Sequence, residues 1–330
     1  MHTFNAMVLV VVLSAPLTAG TVYSFTSFDG PGKNAGGTTV NGINNNGDAV
    51  GFASDNAATP TLFTNFIRNP DGTLTLLTLG GDPLAMANGI NDSRTVVGGN
   101  SSGTAFLLPG GTPITLAKVN GTTVFQTAFG INDAGLIAGQ YTDGATDTTP
   151  GFLFNGAYIN LTPTVTATAT NAQGVNIHGL VTGFYSADGV HQHGFLYDST
   201  KAQFTLLADP SVANLVLTQF LGINDSGLAV GYYQTNDGSQ HGLLYNTTTS
   251  TYTFLDDPSS ALKGVSITQI TGVNDSGEIA GFYVDATSGL QRGFIATPVS
   301  SPVPEPPTSI LLPGSLISIL VAGRRIRRRR

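Results

Sequence analysis

The sequence of 330 residues contains no cysteine. This absence excludes disulfide bonds, thiolate metal sites and a cysteine nucleophile. Charged residues are also scarce, at 10% of the chain, whereas glycine is abundant, with 42 residues. A mixture rich in glycine, threonine, asparagine and serine is typical of β-strands joined by tight turns. Such a chain must be held together by core burial and sheet hydrogen bonds alone.

Basic residues are few outside the last positions of the chain. Residues 21–300 carry 19 acidic and 7 basic side chains, a net charge of −12, whereas six of the nine arginines lie within 324–330. An acidic body repels a phosphate-rich partner, so the sequence argues against nucleic-acid binding.

The apolar run near the N-terminus is too short to span a bilayer. It covers Ala6–Leu13 and is followed by small residues around Leu17–Ala19, a pattern typical of a cleaved signal peptide. We therefore expect residues 1–20 to be a signal peptide and the chain to be exported across the inner membrane. The alternative is a first buried strand.

The C-terminal segment combines three features in order. Pro304-Glu305-Pro306 precedes an apolar stretch at 308–323, and an arginine cluster ends the chain. This arrangement resembles the PEP-CTERM sorting signal of Gram-negative bacteria, and the positive-inside rule keeps such a cluster in the cytoplasm. The resemblance implies that residues 299–330 are a sorting signal, recognised at Pro304, Glu305 and Pro306 by an exosortase-type enzyme. Membrane contact would then be transient and the body would reach the cell surface or the medium; a simple tail anchor is the alternative.

One motif occurs six times between these two ends. It consists of glycine, isoleucine or valine, and asparagine, followed by a turn and an apolar strand. Its glycines are separated by 47, 41, 44, 48 and 50 residues, and periods of about 40–50 residues are typical of four-stranded propeller blades. The six glycines are Gly42, Gly89, Gly130, Gly174, Gly222 and Gly272.

The count of strands predicts how the repeats close. The last repeat lacks a fourth strand, whereas the chain opens with an extra strand at Tyr23–Asp29. Pairing the two completes six blades and removes the open edges. The sequence therefore predicts an all-β fold, a six-bladed β-propeller of four-stranded blades over residues 21–298, closed by the N-terminal strand. An open β-solenoid and two sandwiches are the alternatives.

Two details of the repeats carry further expectations. Arg94 occupies the position of the turn glycine in the second repeat, so we expect its first hairpin to be distorted or to use another turn type. The segments His193-Gly194-Phe195 and His241-Gly242-Leu243 are similar to the third-strand segment of HAF-type extracellular repeats. That resemblance, over about residues 22–297, implies an exported propeller-like protein and no particular chemistry.

The repeated asparagines would form a ring in a closed propeller. Their fixed offset from the motif glycine favours turn-capping residues over ligands for a sugar or an ion. These asparagines are Asn44, Asn91, Asn132, Asn176, Asn224 and Asn274.

Metal and catalytic patterns are weak in this sequence. The many aspartates of turns and loops do not form a D-x-[DN]-x-[DN]-G loop, so they are interpreted as solvated turn carboxylates, and calcium stays an open alternative. His191 and His193 lie on one side of a strand, but a third ligand such as His241 would have to come from another blade. No acid, base and nucleophile gather in the sequence. No catalytic residue, metal site or cofactor is therefore predicted.

The functional hypothesis is a non-enzymatic surface or matrix protein. Its acidic propeller would bind or present loops to a polysaccharide or an envelope component. The alternative is a propeller hydrolase or lyase acting on extracellular carbohydrate. Carboxyl groups converging over the central channel favour the enzyme, and a channel lined by asparagine, glycine and threonine favours binding.

Overall fold

β-strands make up all the regular secondary structure that is described. The computed structural model describes residues 21–32, 36–56, 59–163, 166–207, 209–260 and 265–299. Residues Tyr23–Val299 form one compact unit. Within the described ranges, no helix is long and apolar enough to cross a bilayer. The expected signal peptide and the motif Pro304-Glu305-Pro306 lie outside these ranges.

The strands form six four-stranded antiparallel sheets, the blades of a propeller. The first strand of the chain is β1 (Val22–Phe28). Blade 1 contains β2 (Gly37–Ile43), β3 (Ala49–Ser54), β4 (Phe63–Arg68) and β5 (Leu74–Leu76). Blade 2 contains β6 (Met86–Ile90), β7 (Val96–Gly99), β8 (Ala105–Leu108) and β9 (Ile114–Thr115). Blade 3 contains β10 (Thr123–Ile131), β11 (Ile137–Asp143), β12 (Gly151–Phe154) and β13 (Tyr158–Leu161).

The second half of the chain repeats the same plan. Blade 4 contains β14 (Ala169–Val175), β15 (Leu180–Ser186), β16 (His193–Asp198) and β17 (Gln203–Leu206). Blade 5 contains β18 (Leu215–Ile223), β19 (Leu228–Thr235), β20 (Gln240–Asn246) and β21 (Thr251–Phe254). Blade 6 contains β22 (Thr268–Val273), β23 (Ile279–Val284) and β24 (Gln291–Val299).

Blade 6 is completed by the first strand of the chain. Its strand order is β1-β24-β23-β22, which makes β1 the outer strand. The ring of Phe25 packs against that of Phe294 with centroids 5.1 Å apart. Arg292 donates two hydrogen bonds, of 2.8 and 3.2 Å, to the carboxylate of Asp29. The predicted six-bladed propeller, closed by the N-terminal strand, is confirmed.

A β-bulge recurs at the same place in the first strand of every blade. In blade 3 the register between β10 and β11 shifts between Ala128 and Gly130. A glycine of the second strand faces the bulge, and a Cβ on Gly139 would lie 2.3 Å from the carbonyl oxygen of Thr127. The equivalent glycines of the other blades would meet a first-strand carbonyl at 1.9–2.1 Å. The close approach of the two strands therefore requires the glycine in the middle of each second strand.

The hydrophobic core lies between neighbouring blades. Phe152 in the third strand of blade 3 is fully buried and packs with Val97 of blade 2 and with Ala128 and Ile137 of its own blade. The same position holds a phenylalanine in most blades, which explains the recurring Gly-Phe-Leu segment. The equivalent buried residues are Phe66, Phe106, Phe195, Leu243 and Phe294.

The hairpin of the second repeat is not distorted. Arg94 adopts φ +58°, close to the +82° of Gly135 in the next blade. Its backbone N–H donates to the Asn91 carbonyl at 2.9 Å, as Gly135 donates to Asn132 at 3.0 Å. The expectation of a distorted or different turn is therefore wrong. The side chain is held by an ion pair of 3.1 Å with Asp48, and the neighbouring turns impose the same geometry on a non-glycine residue.

Candidate functional site

The first strands of all six blades line the central channel in successive layers. From one mouth to the other, the layers are a mixed polar layer, the motif glycines, an aliphatic layer, the motif asparagines and an acidic rim. The aliphatic side chains are only 6–8% exposed and separate the two mouths. They are Ile43, Ile90, Ile131, Val175, Ile223 and Val273.

The glycine layer brings the six first strands into contact. A Cβ on Gly174 would lie 2.8 Å from the Cα of Gly222, and one on Gly272 would lie 3.0 Å from the Cα of Gly42. These distances are too short for any side chain. The motif glycine is therefore set by the narrow middle of the channel.

The motif asparagines form a closed ring of hydrogen bonds. Each side-chain Nδ2 donates to the backbone carbonyl of the next asparagine around the ring, at 2.8–3.3 Å. Each Oδ1 accepts the backbone N–H four residues later, at 2.9–3.0 Å. All six are 2–7% exposed. Their amides hold one hairpin and join it to the next blade.

Four carboxylates form a rim outside this ring, in the residues that follow the asparagines. Asp92 accepts the backbone N–H of Asn45 at 2.7 Å, and Asp133 accepts that of Asp92 at 2.7 Å. In the same way, Asp225 accepts the N–H of Ile177 at 2.8 Å. Asp275, the fourth member, accepts the N–H of Asp225 at 2.8 Å.

The acidic rim brings carboxyl groups close together at a narrow mouth. Asn45 Nδ2 donates to Oδ2 of Asp275 at 2.9 Å and to Oδ2 of Asp92 at 3.2 Å. Burial, followed by the nearby charges of Asp92 and Asp225, raises the pKa of Asp133. The cavity here measures about 70 Å³, well below the size of typical small-molecule sites.

The opposite mouth is wider and carries no charge. Its cavity measures about 280 Å³ and lies inside the first strands. Amide side chains dominate its wall, accompanied by two hydroxyl groups, two phenyl rings and one leucine. The amides are Asn41, Asn88, Gln173, Gln219 and Gln269; the others are Thr39, Thr271, Phe129, Phe282 and Leu221.

The polar groups of the wide mouth hold neighbouring blades together. Asn41 donates to the Ala87 carbonyl and Asn88 donates to the Ala128 carbonyl, both at 2.9 Å. Gln269 donates to the side-chain oxygen of Gln240 at 2.7 Å. These bonds hold the side chains of Asn41, Asn88 and Gln269 in place, so this part of the cavity wall is formed before any ligand arrives.

The wide mouth is the part of the channel that sequence reasoning missed. Its deepest residues come directly before the motif glycine and differ from repeat to repeat, as Asn41, Phe129 and Leu221 show. The motif asparagine is the same in all six repeats, so the sequence pointed to the asparagine ring instead. The signal that was overlooked is variation at one inward-facing position of an otherwise regular motif.

The histidines do not gather at one site. His193 Nδ1 lies 2.8 Å from Asp209, and His241 Nδ1 lies 2.7 Å from Asp256. His191 pairs with a third carboxylate, that of Asp188, at 2.7 Å. This contact and nearby backbone N–H groups lower the pKa of Asp188. Among the described residues, no three histidine, aspartate or glutamate side chains are arranged to hold a metal ion.

Asp257 is a buried carboxylate outside the channel. It is 2% exposed, and its Oδ1 accepts the backbone N–H of Ser259 at 2.8 Å. Its Oδ2 has no hydrogen-bond partner. Burial is the main cause that raises the pKa of this carboxyl group, and the charge of Asp285 adds to it.

Comparison with known proteins identifies a class of fold. No protein-family model matches the chain, and no curated protein matches it. Solved structures match at low sequence identity. The chain is similar to Trypanosoma rangeli sialidase in complex with sialic acid, at 10% identity, with 83% of this chain and 58% of that chain covered and a TM-score of 0.51.

Two further solved structures match less closely in geometry. One is a mutant of the Aleuria aurantia lectin in complex with alpha-methyl-L-fucoside, at 14% identity, covering 86% of this chain and 97% of that chain, with a TM-score of 0.46. The other is TolB from Acinetobacter baumannii, at 12% identity, covering 74% and 63%, with a TM-score of 0.47. At these identities the likeness to solved structures concerns the fold alone: the chain is a β-propeller.

Proposed function

We propose that this chain is an exported, non-enzymatic propeller that binds extracellular polysaccharide or an envelope component. The observation that carries the proposal is the wide mouth, a preformed cavity of about 280 Å³ with amide, hydroxyl and phenyl groups and no charged residue. Oriented amides with aromatic surface suit a neutral ligand rich in hydroxyl groups. Two of the propellers that are similar to this chain are in complex with a sugar, but the proposal rests on the chemistry of the cavity.

Delivery to the cell surface is part of the same proposal. The N-terminal segment would be removed on export, and an exosortase-type enzyme would act near Pro304, Glu305 and Pro306. Both segments are supported by sequence pattern. A protein processed in this way would reach the cell surface or the matrix, where polysaccharide is accessible.

The alternative is a hydrolase or lyase that acts on extracellular carbohydrate. The observation in its favour is the convergence of Asp92, Asp133, Asp225 and Asp275 at one mouth. Against it, one oxygen of each carboxylate accepts a backbone N–H of a neighbouring blade. The cavity is also well below the size of typical small-molecule sites. These carboxylates are better explained as part of the ring that joins the blades.

The experiment that separates the two functions uses the full-length protein and exopolysaccharide from the cells that produce it. Co-sedimentation measures retention, and size-exclusion chromatography measures polymer length. We expect retention with unchanged polymer length, with and without added calcium. A shortened polymer would establish the enzyme instead, and the absence of retention would overturn the binding function.

A further inference from the structure

We infer that the wide mouth recognises an uncharged sugar unit and discriminates against uronic acids and other anionic sugars. This inference rests on the polysaccharide-binding function proposed above, and it names the class of ligand. It follows from which atoms of the cavity wall are already engaged and which are left for a ligand.

About half of the side-chain amide N–H groups of the wall donate within the protein. Asn41 Nδ2 donates to a backbone carbonyl of blade 2, Gln219 Nε2 donates to Gln192, and Gln269 Nε2 donates to Gln240. A backbone carbonyl can only accept, so the orientation of the Asn41 amide is fixed. Gln240 in turn donates to Gln234 at 3.0 Å, so the amides of Gln269 and Gln240 donate in one direction along the wall.

The carbonyl oxygens of the same three amides remain available. Among the described residues, no hydrogen bond engages Oδ1 of Asn41 or Oε1 of Gln219 and Gln269. None of these oxygens is among the buried polar atoms that lack a partner, so each is open to solvent. The wall therefore presents acceptors that require a donor from the ligand.

Sugar hydroxyl groups supply such donors, whereas a carboxylate supplies none. An anionic sugar entering this mouth would place its charge beside carbonyl oxygens, and only neutral amide N–H groups, with no cation among the lining residues, would replace its hydration. No lysine or arginine is among the residues that line the cavity, and residues 21–300 carry an excess of acidic side chains. The same cavity thus accepts a hydroxymethyl group and rejects the carboxylate that replaces it in a uronic acid.

Phe129 and Gln173 complete the recognition surface. Both are partly exposed and lie in adjacent blades, at the position before the motif glycine. A phenyl ring offers an apolar face on which the C–H face of a sugar packs. The amide of Gln173 makes no hydrogen bond among the described residues, so it can both donate to and accept from the ligand. The volume of the cavity, about 280 Å³, fits one sugar unit rather than an enclosed oligosaccharide.

The test compares sugars that differ only in charge. Full-length protein is titrated with glucose, galactose and mannose, each beside its uronate, and binding is followed by saturation-transfer NMR. We expect at least one neutral sugar to bind about tenfold or more tightly than its uronate. Binding of uronates alone, with polysaccharide still retained, would overturn this inference and leave the proposed function standing. Loss of all sugar binding and of polysaccharide retention would overturn both.

Variants assign the binding to the wide mouth. Phe129→Ala should weaken the neutral sugar about tenfold, as expected for removal of one aromatic platform. Phe125→Ala is the matched control, because Phe125 lies in the same strand and does not line the cavity. Equal affinity in both variants would place the sugar elsewhere and contradict the inference. Thermal melts of each variant exclude unfolding as the cause.

A substitution that adds a positive charge tests directly whether the lack of a cation excludes uronates. Gln173→Lys places a cation in the mouth without removing a hydrogen bond within the described structure. It should raise uronate affinity about tenfold, the effect of one charge-assisted hydrogen bond. An unchanged preference between neutral sugar and uronate would contradict recognition at this wall.

Discussion

At the scale of single residues, the molecule shows where a repeat tolerates exceptions. Arg94 takes a left-handed backbone conformation that the other five hairpins assign to glycine. Asp257 keeps a buried carboxylate oxygen without a partner. Arg94 is held by its ion pair with Asp48, whereas burial disfavours the charged form of Asp257, so substitutions there report on local strain and charge.

Arg94→Gly and Arg94→Ala form one such pair of substitutions. Both remove the ion pair with Asp48, but only alanine keeps the penalty of a positive φ. We expect the glycine variant to be more stable than the alanine variant by about 1 kcal/mol. Urea denaturation of the two proteins measures the difference. Equal stability would show that the turn relaxes when the arginine is absent.

Asp257→Asn tests the buried carboxylate by pH dependence. The pKa of Asp257 is raised in the folded state, so its contribution to stability is present at low pH and is lost as pH rises through that raised pKa. Asparagine keeps the acceptor for Ser259 and does not ionise. The Tm of the variant relative to the wild-type protein should therefore increase between about pH 3 and about pH 7. A difference independent of pH would contradict the raised pKa of Asp257, because it would mean that this carboxyl titrates alike in the folded and unfolded states.

At the scale of elements, the recurring asparagine is the residue that joins neighbouring hairpins. Each side chain caps its own turn and donates to the next blade, and the six bonds return to their start because Asn274 donates to Asn44 at 3.1 Å. Bonds of this kind are buried, so their loss leaves backbone groups without partners. The first hairpins are therefore coupled around the channel.

Asn132→Ala removes two of these buried hydrogen bonds. The Leu136 N–H and the Asn176 carbonyl would lose their partner, and we expect a loss of about 2–4 kcal/mol in the free energy of unfolding. Asn236→Ala, at an exposed loop position, is the control and should change stability by less than about 0.5 kcal/mol. Similar losses of stability in the two variants would show that the asparagine ring contributes no more than an exposed loop residue.

The sequence predicted the blades better than the cavity proposed as the binding site. Period, turn residues and the displaced strand Tyr23–Asp29 were enough for the six blades and their closure, because each follows from strand pairing and edge protection. The cavity depends instead on residues such as Asn41 and Gln173, which come together only when blades distant in sequence meet at the axis. Arg94 is a case in which the local preference of a residue gave a wrong prediction, since tertiary contacts override that preference.

At the scale of the whole molecule, closure of the ring depends on β1. Phe25 of this strand packs on Phe294, and Asp29 just beyond it binds Arg292. The two mouths are likewise properties of the closed ring and of no single blade.

Phe25→Ala tests the contribution of the closing strand. We expect the free energy of unfolding to fall by about 2 kcal/mol. This is less than for a fully buried phenylalanine, because Phe25 is only partly buried. Ser24→Ala, exposed in the same strand, is the control and should be close to neutral. Denaturation followed by circular dichroism measures both, and equal stability of the two variants would show that β1 adds little to closure.

The most direct test of the account is a crystal structure of the protein grown with the neutral sugar that binds most tightly. We expect density for the sugar beside Phe129 and Gln173, in the cavity of about 280 Å³. We also expect the carboxylates at the other mouth to keep their hydrogen bonds to backbone N–H groups. Density for the sugar at Asp92, Asp133, Asp225 and Asp275, with those bonds broken, would contradict this expectation and favour carbohydrate chemistry at the acidic rim.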